Sequence, residues 1–214
     1  MKIKFKYFLM LALALLISIP AAAEEAKQKP QNTTQTLQEK VLKNFIAWDK
    51  KLNTLDTMYT QETSFEGILI SKSLGHLFKS ANNLRLETLD EDNKLTQYAL
   101  TDKKTIRVFD EKGNLVMETE WESWRDNQQN KSLFDFNNYA NILKKHDVRA
   151  FETTKDNYVL TLAPKEGDEY ILTFLLNKEN YFPTEINLEN EGVKSKTTLQ
   201  KIKINTAVSK EIFK

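Results

Sequence analysis

The chain has 214 residues, 31 basic and 30 acidic, with two histidines and no cysteine. A formal charge of +1 leaves no basic footprint for nucleic acid. The missing cysteine excludes disulfides and the lipidated cysteine that would anchor a bacterial lipoprotein.

Residues 1–23 read as a secretory signal peptide. Lys2, Lys4 and Lys6 form the basic start, residues 8–19 a short apolar core, and Pro20 to Ala23 a small-residue end. Cleavage is expected after Ala23, with the product free in a bacterial periplasm. Loss of three lysines leaves 28 basic against 30 acidic residues, a net charge of −2. Residues 24–33 are polar, contain Pro30 and lack periodicity, the pattern of a flexible leader. Residues 34–214 are long enough for a single domain with its own core.

Residues 34–55 predict a long helix. Leu37, Val41, Phe45, Trp48, Leu52 and Leu55 recur at steps of three and four, and Thr36 with Glu39 fits a capping box. Residues 56–64 begin a sheet. From Phe65 to Trp121 apolar and polar residues alternate in five short runs: 65–69, 84–87, 95–98, 106–108 and 115–117. Alternation of period two, with short turns between runs, predicts antiparallel strands with one apolar face. The turns are marked by Asp90 to Asn93, by Asp102 to Lys104, and by Asp110 to Asn114 around Gly113. Residues 122–132 read as a polar loop. Phe134, Phe136, Tyr139, Ile142 and Leu143 then predict a short amphipathic helix over 133–145. A helical connection of this length inside an antiparallel sheet suits a lid or binding loop. Further strands are expected at 148–153, 158–162, 170–176, 184–189 and 197–204. The class is α+β and β-dominated, with about ten or eleven strands. A helix or a lipid must cover the apolar face, and the alternation alone does not choose between them.

Signatures of catalysis are missing. His76 and His146 lie in different elements without metal-ligand spacing, and there is neither a nucleophile elbow nor a glycine-rich phosphate loop. Asp90, Glu91 and Asp92 suit a solvated turn better than a calcium site. No enzyme activity, cofactor or metal is expected. A pair of carboxylates for hydrolysis stays open, because acids are spread through the whole chain.

Five stretches carry a family resemblance. They are Tyr59-Thr60-Gln61; Gly75-His76-Leu77-Phe78-Lys79 with Asn83-Leu84-Arg85-Leu86-Glu87; residues 101–110; Tyr158 to Lys165; and Lys203-Ile204-Asn205 with Ile212-Phe213. In this order they resemble the periplasmic outer-membrane lipoprotein carrier family, LolA. The resemblance implies an unclosed antiparallel β-barrel, with the long N-terminal helix and a second helical segment over its concave apolar face. It implies a monomeric carrier that takes lipoprotein acyl chains, or a related lipid, from an inner-membrane release complex to an outer-membrane acceptor. No covalent chemistry is involved. The missing lipobox cysteine favours the soluble carrier over the family's lipoprotein acceptor. Three departures stand out. Ala81-Asn82 replaces the Arg-Pro thought to latch the lid, Lys103 replaces a glycine, and the chain stops at Lys214 without a further strand. Arg85 is a possible substitute latch, although alternation puts it on the face opposite Leu84 and Leu86.

Alternation selects Leu69, Leu84, Leu86, Leu115, Met117, Leu160, Leu162, Leu172 and Phe174 as strand residues lining an acyl-chain cavity, with Phe45, Trp48 and Phe136 from the helices. Ordinary core packing is the competing reading for each. Trp121 and Trp124 suit a half-wet cavity mouth. Two other functions fit the same chain: a lipid- or lipoprotein-sensing regulatory domain, and a secreted hydrolase.

Overall fold

The computed structural model describes residues 25–128, 131–167 and 169–214, with side chains from Gln35 onward except Ser132. The expected signal peptide lies outside the described residues. Residues up to Leu37 and from Gln38 onward are separate compact units. The sheet and its cover belong to the second.

Helix α1 spans Glu25–Lys51. It begins ahead of the expected Thr34 because Glu25, Ala26, Lys27, Gln28 and Lys29 are strong helix formers, which outweigh Pro30. Residues 25–33 are therefore helical, and Thr36 and Glu39 lie inside the helix and not at its cap. At the far end, Lys50 and Lys51 complement the helix dipole. Asn205 closes it: its side chain donates to Lys51 O at 3.1 Å and accepts from the N–H of Asn53 at 2.7 Å. The helix thus stops before Leu55, and Leu55 belongs to the first strand.

Six strands follow as a meander: β1 (Thr54–Phe65), β2 (Ile68–Ser80), β3 (Asn83–Leu89), β4 (Leu95–Thr101), β5 (Thr105–Asp110) and β6 (Leu115–Glu120). A helical connection carries α2 (Trp121–Asp126), a 3-10 turn (Lys131–Phe134) and α3 (Tyr139–Lys145). Five strands complete the sheet: β7 (His146–Thr153), β8 (Asn157–Pro164), β9 (Ile171–Asn177), β10 (Pro183–Asn190) and β11 (Val193–Ile204), followed by a 3-10 turn (Lys210–Phe213).

All eleven strands form one sheet in the order β6-β5-β4-β3-β2-β1-β11-β10-β9-β8-β7. Every pairing is antiparallel. The end strands β6 and β7 do not pair, so the barrel is unclosed. The connection containing α2 and α3 runs from one free edge to the other.

Register places the core. Leu77 opposes Leu86, Leu86 opposes Ala99, Ala99 opposes Val108, and Val108 opposes Met117. In the other half Phe174 opposes both Leu160 and Ile186, and Leu172 opposes Leu162 and Leu188. These rows form the apolar face. The polar side of β3 faces away: Arg85 pairs with Glu87 at 2.7 Å, lies 4.1 Å over the Tyr98 ring and donates to Ile212 O. Arg85 therefore pins the C-terminal turn and is not a lid latch.

One expected strand is instead a turn. Glu66 (φ 49°) and Gly67 (φ 83°) are both left-handed, so residues 65–69 fold into a two-residue hairpin that pairs Phe65 with Ile68. The expected Asp110–Asn114 turn is present, with Gly113 at φ 84° and the Asp110 carboxylate accepting from the N–H groups of Lys112 and Asn114.

Candidate functional site

Six rings meet where α1, the helical connection and β9 converge. Phe45 stacks on Tyr139 with centroids 5.1 Å apart and tilts against Phe174 at 5.6 Å. Trp48 meets Phe182 edge-on at 5.3 Å and Phe136 at 6.5 Å. Tyr139 meets Phe174 at 5.3 Å. Phe45 and Trp48 come from α1, Tyr139 from α3 and Phe174 from β9, while Phe136 and Phe182 come from the turns that precede α3 and β10; offset or edge contacts of this kind add to the area they bury.

The connection is fastened to α1 beside these rings. The carboxylate of Asp49 accepts from the Asn137 N–H at 2.6 Å through Oδ1 and from the Tyr139 N–H at 3.0 Å through Oδ2. The Asn137 side chain answers by donating to Asp49 O at 2.6 Å and Leu52 O at 2.9 Å. Asn137 reaches back in this way because its φ is 69°, a conformation asparagine tolerates well. Four hydrogen bonds thus close a clasp between two segments 88 residues apart. Lys103, in the β4–β5 turn, donates to Phe136 O at 3.3 Å, and Arg125 pairs with Asp135 at 3.1 Å. Lys103 has φ 67°, which explains why glycine is an acceptable alternative there.

Burial dominates the electrostatics. Asp49 is 1% exposed, and burial pushes its carboxyl up to about 6, against the two backbone donors and the charges of Lys103 and Lys79. Lys79 is equally buried on β2, bonds Ala81 O at 2.8 Å, and is pulled down to about 8 by burial and by Lys103. Burial lowers Lys103 as well. Among the described residues no cluster of three or more histidines, cysteines and acids is spaced to hold a metal.

The sequence-selected residues divide into two groups. Phe45, Leu84, Leu86, Phe136, Leu160, Leu162, Leu172 and Phe174 are buried, and Trp48 is half-buried among the rings. Four of them, Phe45, Trp48, Phe136 and Phe174, join the aromatic cluster. Leu69, Leu115 and Met117 do not join the interior. Leu69 is 57% exposed because the Glu66–Gly67 turn places it at a hairpin tip. Leu115 (54%) and Met117 (38%) lie on β6, a free edge; Met117 is in register with the apolar face through Val108, but among the described residues no strand flanks its outer side. Trp121 is 2% exposed and stacks on Trp124 at 5.5 Å and against Phe134, so it is packed and not at a mouth. His146 is also buried, bonded to Ile142 O and the Tyr170 hydroxyl. A groove of about 760 Å³ opens elsewhere, between Ala163, Tyr170, Ile171 and Gly192, and none of the twelve selected residues lines it.

Asp49 and Asn137 were not among the selected residues. The signal for Asp49 was present: with Val41, Phe45 and Leu52 it falls on the inward stripe, where a charge needs partners. Asn137 carries no such signal, because a loop asparagine gives no period.

No protein-family model matches the sequence, and no curated protein matches it. Solved structures are similar in fold. MucB superposes with a TM-score of 0.52 at 15% identity over 82% of this chain, which spans 62% of MucB. An uncharacterized conserved protein from Thermus thermophilus gives 0.51 at 11% identity, over 83% of this chain and 93% of that one. The LolA superfamily protein NE2245 from Nitrosomonas europaea gives 0.47 at 12% identity, over 82% and 96%. The chain therefore shares its fold with MucB and the Thermus protein: an open antiparallel β-sheet with helical segments over its apolar face.

Proposed function

We propose that this chain is a periplasmic carrier for acyl chains. It takes lipoproteins or a related lipid from an inner-membrane release complex to an outer-membrane acceptor, without covalent chemistry. Transfer of an acyl chain from bilayer to water costs about 0.8 kcal/mol per methylene, hence roughly 12 kcal/mol for a chain of about sixteen carbons. An apolar interior of comparable area offsets most of that cost.

One observation carries the reading. The apolar face of the unclosed sheet is covered not by a further strand but by α1 and the helical connection, which are clasped to each other and meet the sheet through rings and the Lys103–Phe136 hydrogen bond. Rings that pack against one another when the cover is shut present the same surface to acyl chains when it lifts. In this reading the buried residues Leu84, Leu86, Leu160, Leu162, Leu172 and Phe174 form the floor, and Phe45, Trp48 and Phe136 form the roof.

Native mass spectrometry of protein made in a Gram-negative periplasm tests this. Lipid adducts that organic extraction removes, and that an acyl probe replaces, are expected. A lipid-free protein with no affinity for the probe overturns the proposal.

A further inference from the structure

We propose that Asp49 is a proton-dependent catch: protonated, it holds the helical connection shut over the aromatic interior, and ionised it leaves that cover easier to lift. The inference concerns regulation of the site described above, and its link to cargo rests on the acyl-chain reading.

The geometry is that of a fastening. Both Asp49 oxygens are taken up by N–H groups of the connection, at Asn137 and Tyr139. Lifting the connection removes both donors and admits water to the carboxylate. The closed position is poor for a negative charge for two reasons independent of those donors. The carboxylate is shut away from solvent. It also lies two residues from the last residue of α1, at the negative end of the helix dipole.

Several groups face it. Lys79 from β2 and Lys103 from the β4–β5 turn favour the ionised form. Tyr139 from α3 stays neutral, its hydroxyl driven well above its ordinary value by burial and by the charges of Asp49 and Asp135. Asp135 is buried beside Arg125 and Lys103, with Glu122 also in range. Burial outweighs the favourable partners, which leaves Asp49 raised to about 6.

The direction follows by linkage. The closed form binds the Asp49 proton more tightly than the open form, whose carboxyl returns to its ordinary value. Closure is therefore strongest below that ordinary value. It weakens as pH rises towards about 6 and is constant above. Between about pH 5 and about pH 7 the closure equilibrium falls roughly tenfold. Lys79 titrates above this window.

Hydrogen exchange at the Asn137 and Tyr139 amides reads the catch directly. Corrected for intrinsic chemistry, their protection should be about tenfold higher near pH 5 than near pH 7. The same amides in Asp49→Asn should show no such dependence, and uptake of a fluorescent acyl probe by the wild type should be slower at the lower pH. Equal protection at both pH values, or the same change in Asp49→Asn, overturns the catch. If the variant does not fold, a carbon-detected titration of the wild-type Asp49 carboxyl decides. A midpoint near 6 supports the catch, and one at the ordinary carboxylate value overturns it. Protection that switches as expected without probe uptake at either pH supports the catch and overturns the carrier reading.

Discussion

Gly75 has no room for a methyl group. A Cβ there would lie 2.2 Å from Tyr59 Cζ and 2.5 Å from Glu87 O, because the Tyr59 ring lies across the glycine that opposes it on β2. Two stretches that carry the family resemblance, Tyr59-Thr60-Gln61 and the block from Gly75, are thus halves of one contact. Burial also drives the Tyr59 hydroxyl up to about 12. Gly75→Ala is expected to destabilise by about 1–3 kcal/mol through overpacking, measured as a lower urea midpoint at unchanged slope. The alternation could not show this, since a glycine has no side chain to place on either face. It misled at Leu69 for a related reason: Glu66 fits the alternation as a polar position, and only the left-handed φ of Glu66 together with that of Gly67 makes the turn that takes Leu69 out of the interior.

The second part of α1, the stripe of Val41, Phe45 and Leu52, was legible because a period of 3.6 survives wherever one helix face is buried. Its start was not legible, because Pro30 reads as a breaker while its neighbours favour helix. Phe45→Ala, which empties the centre of the ring cluster, should cost about 3–5 kcal/mol in unfolding free energy by denaturant titration. A cost below about 1 kcal/mol would mean that the rings do not pack as described. The connection was legible as helical at Tyr139–Lys145 and hidden at Trp121–Asp126, whose six residues are too few to set a period. Strand β6 is the opposite case. Its residues from Leu115 to Glu118 are exposed, and one backbone edge has no neighbouring strand. Unpaired edges of this kind recruit other strands. Val116→Lys should therefore lower self-association at high concentration in sedimentation experiments, while changing thermal stability by less than about 0.5 kcal/mol.

Eleven strands in one unclosed sheet were close to what the alternation and the family resemblance implied, since ten of the eleven occupy an expected run and β2 touches one at Ile68 and Leu69. The clasp was beyond reach, because it joins a helix to a loop through backbone donors that no residue pattern records. One property of the strand order bears on how the molecule assembles. Nine of the ten pairings join strands adjacent in sequence, and the exception is β1 with β11, which sets Tyr59 opposite Leu199. That seam closes a chain segment of about 140 residues, so its entropy is paid before its contacts reward it. The two flanking meanders are expected to form first and the seam to zip last. In stopped-flow refolding, Leu199→Ala should then accelerate unfolding and leave the refolding rate nearly unchanged, whereas Leu77→Ala, within the first meander, should slow refolding.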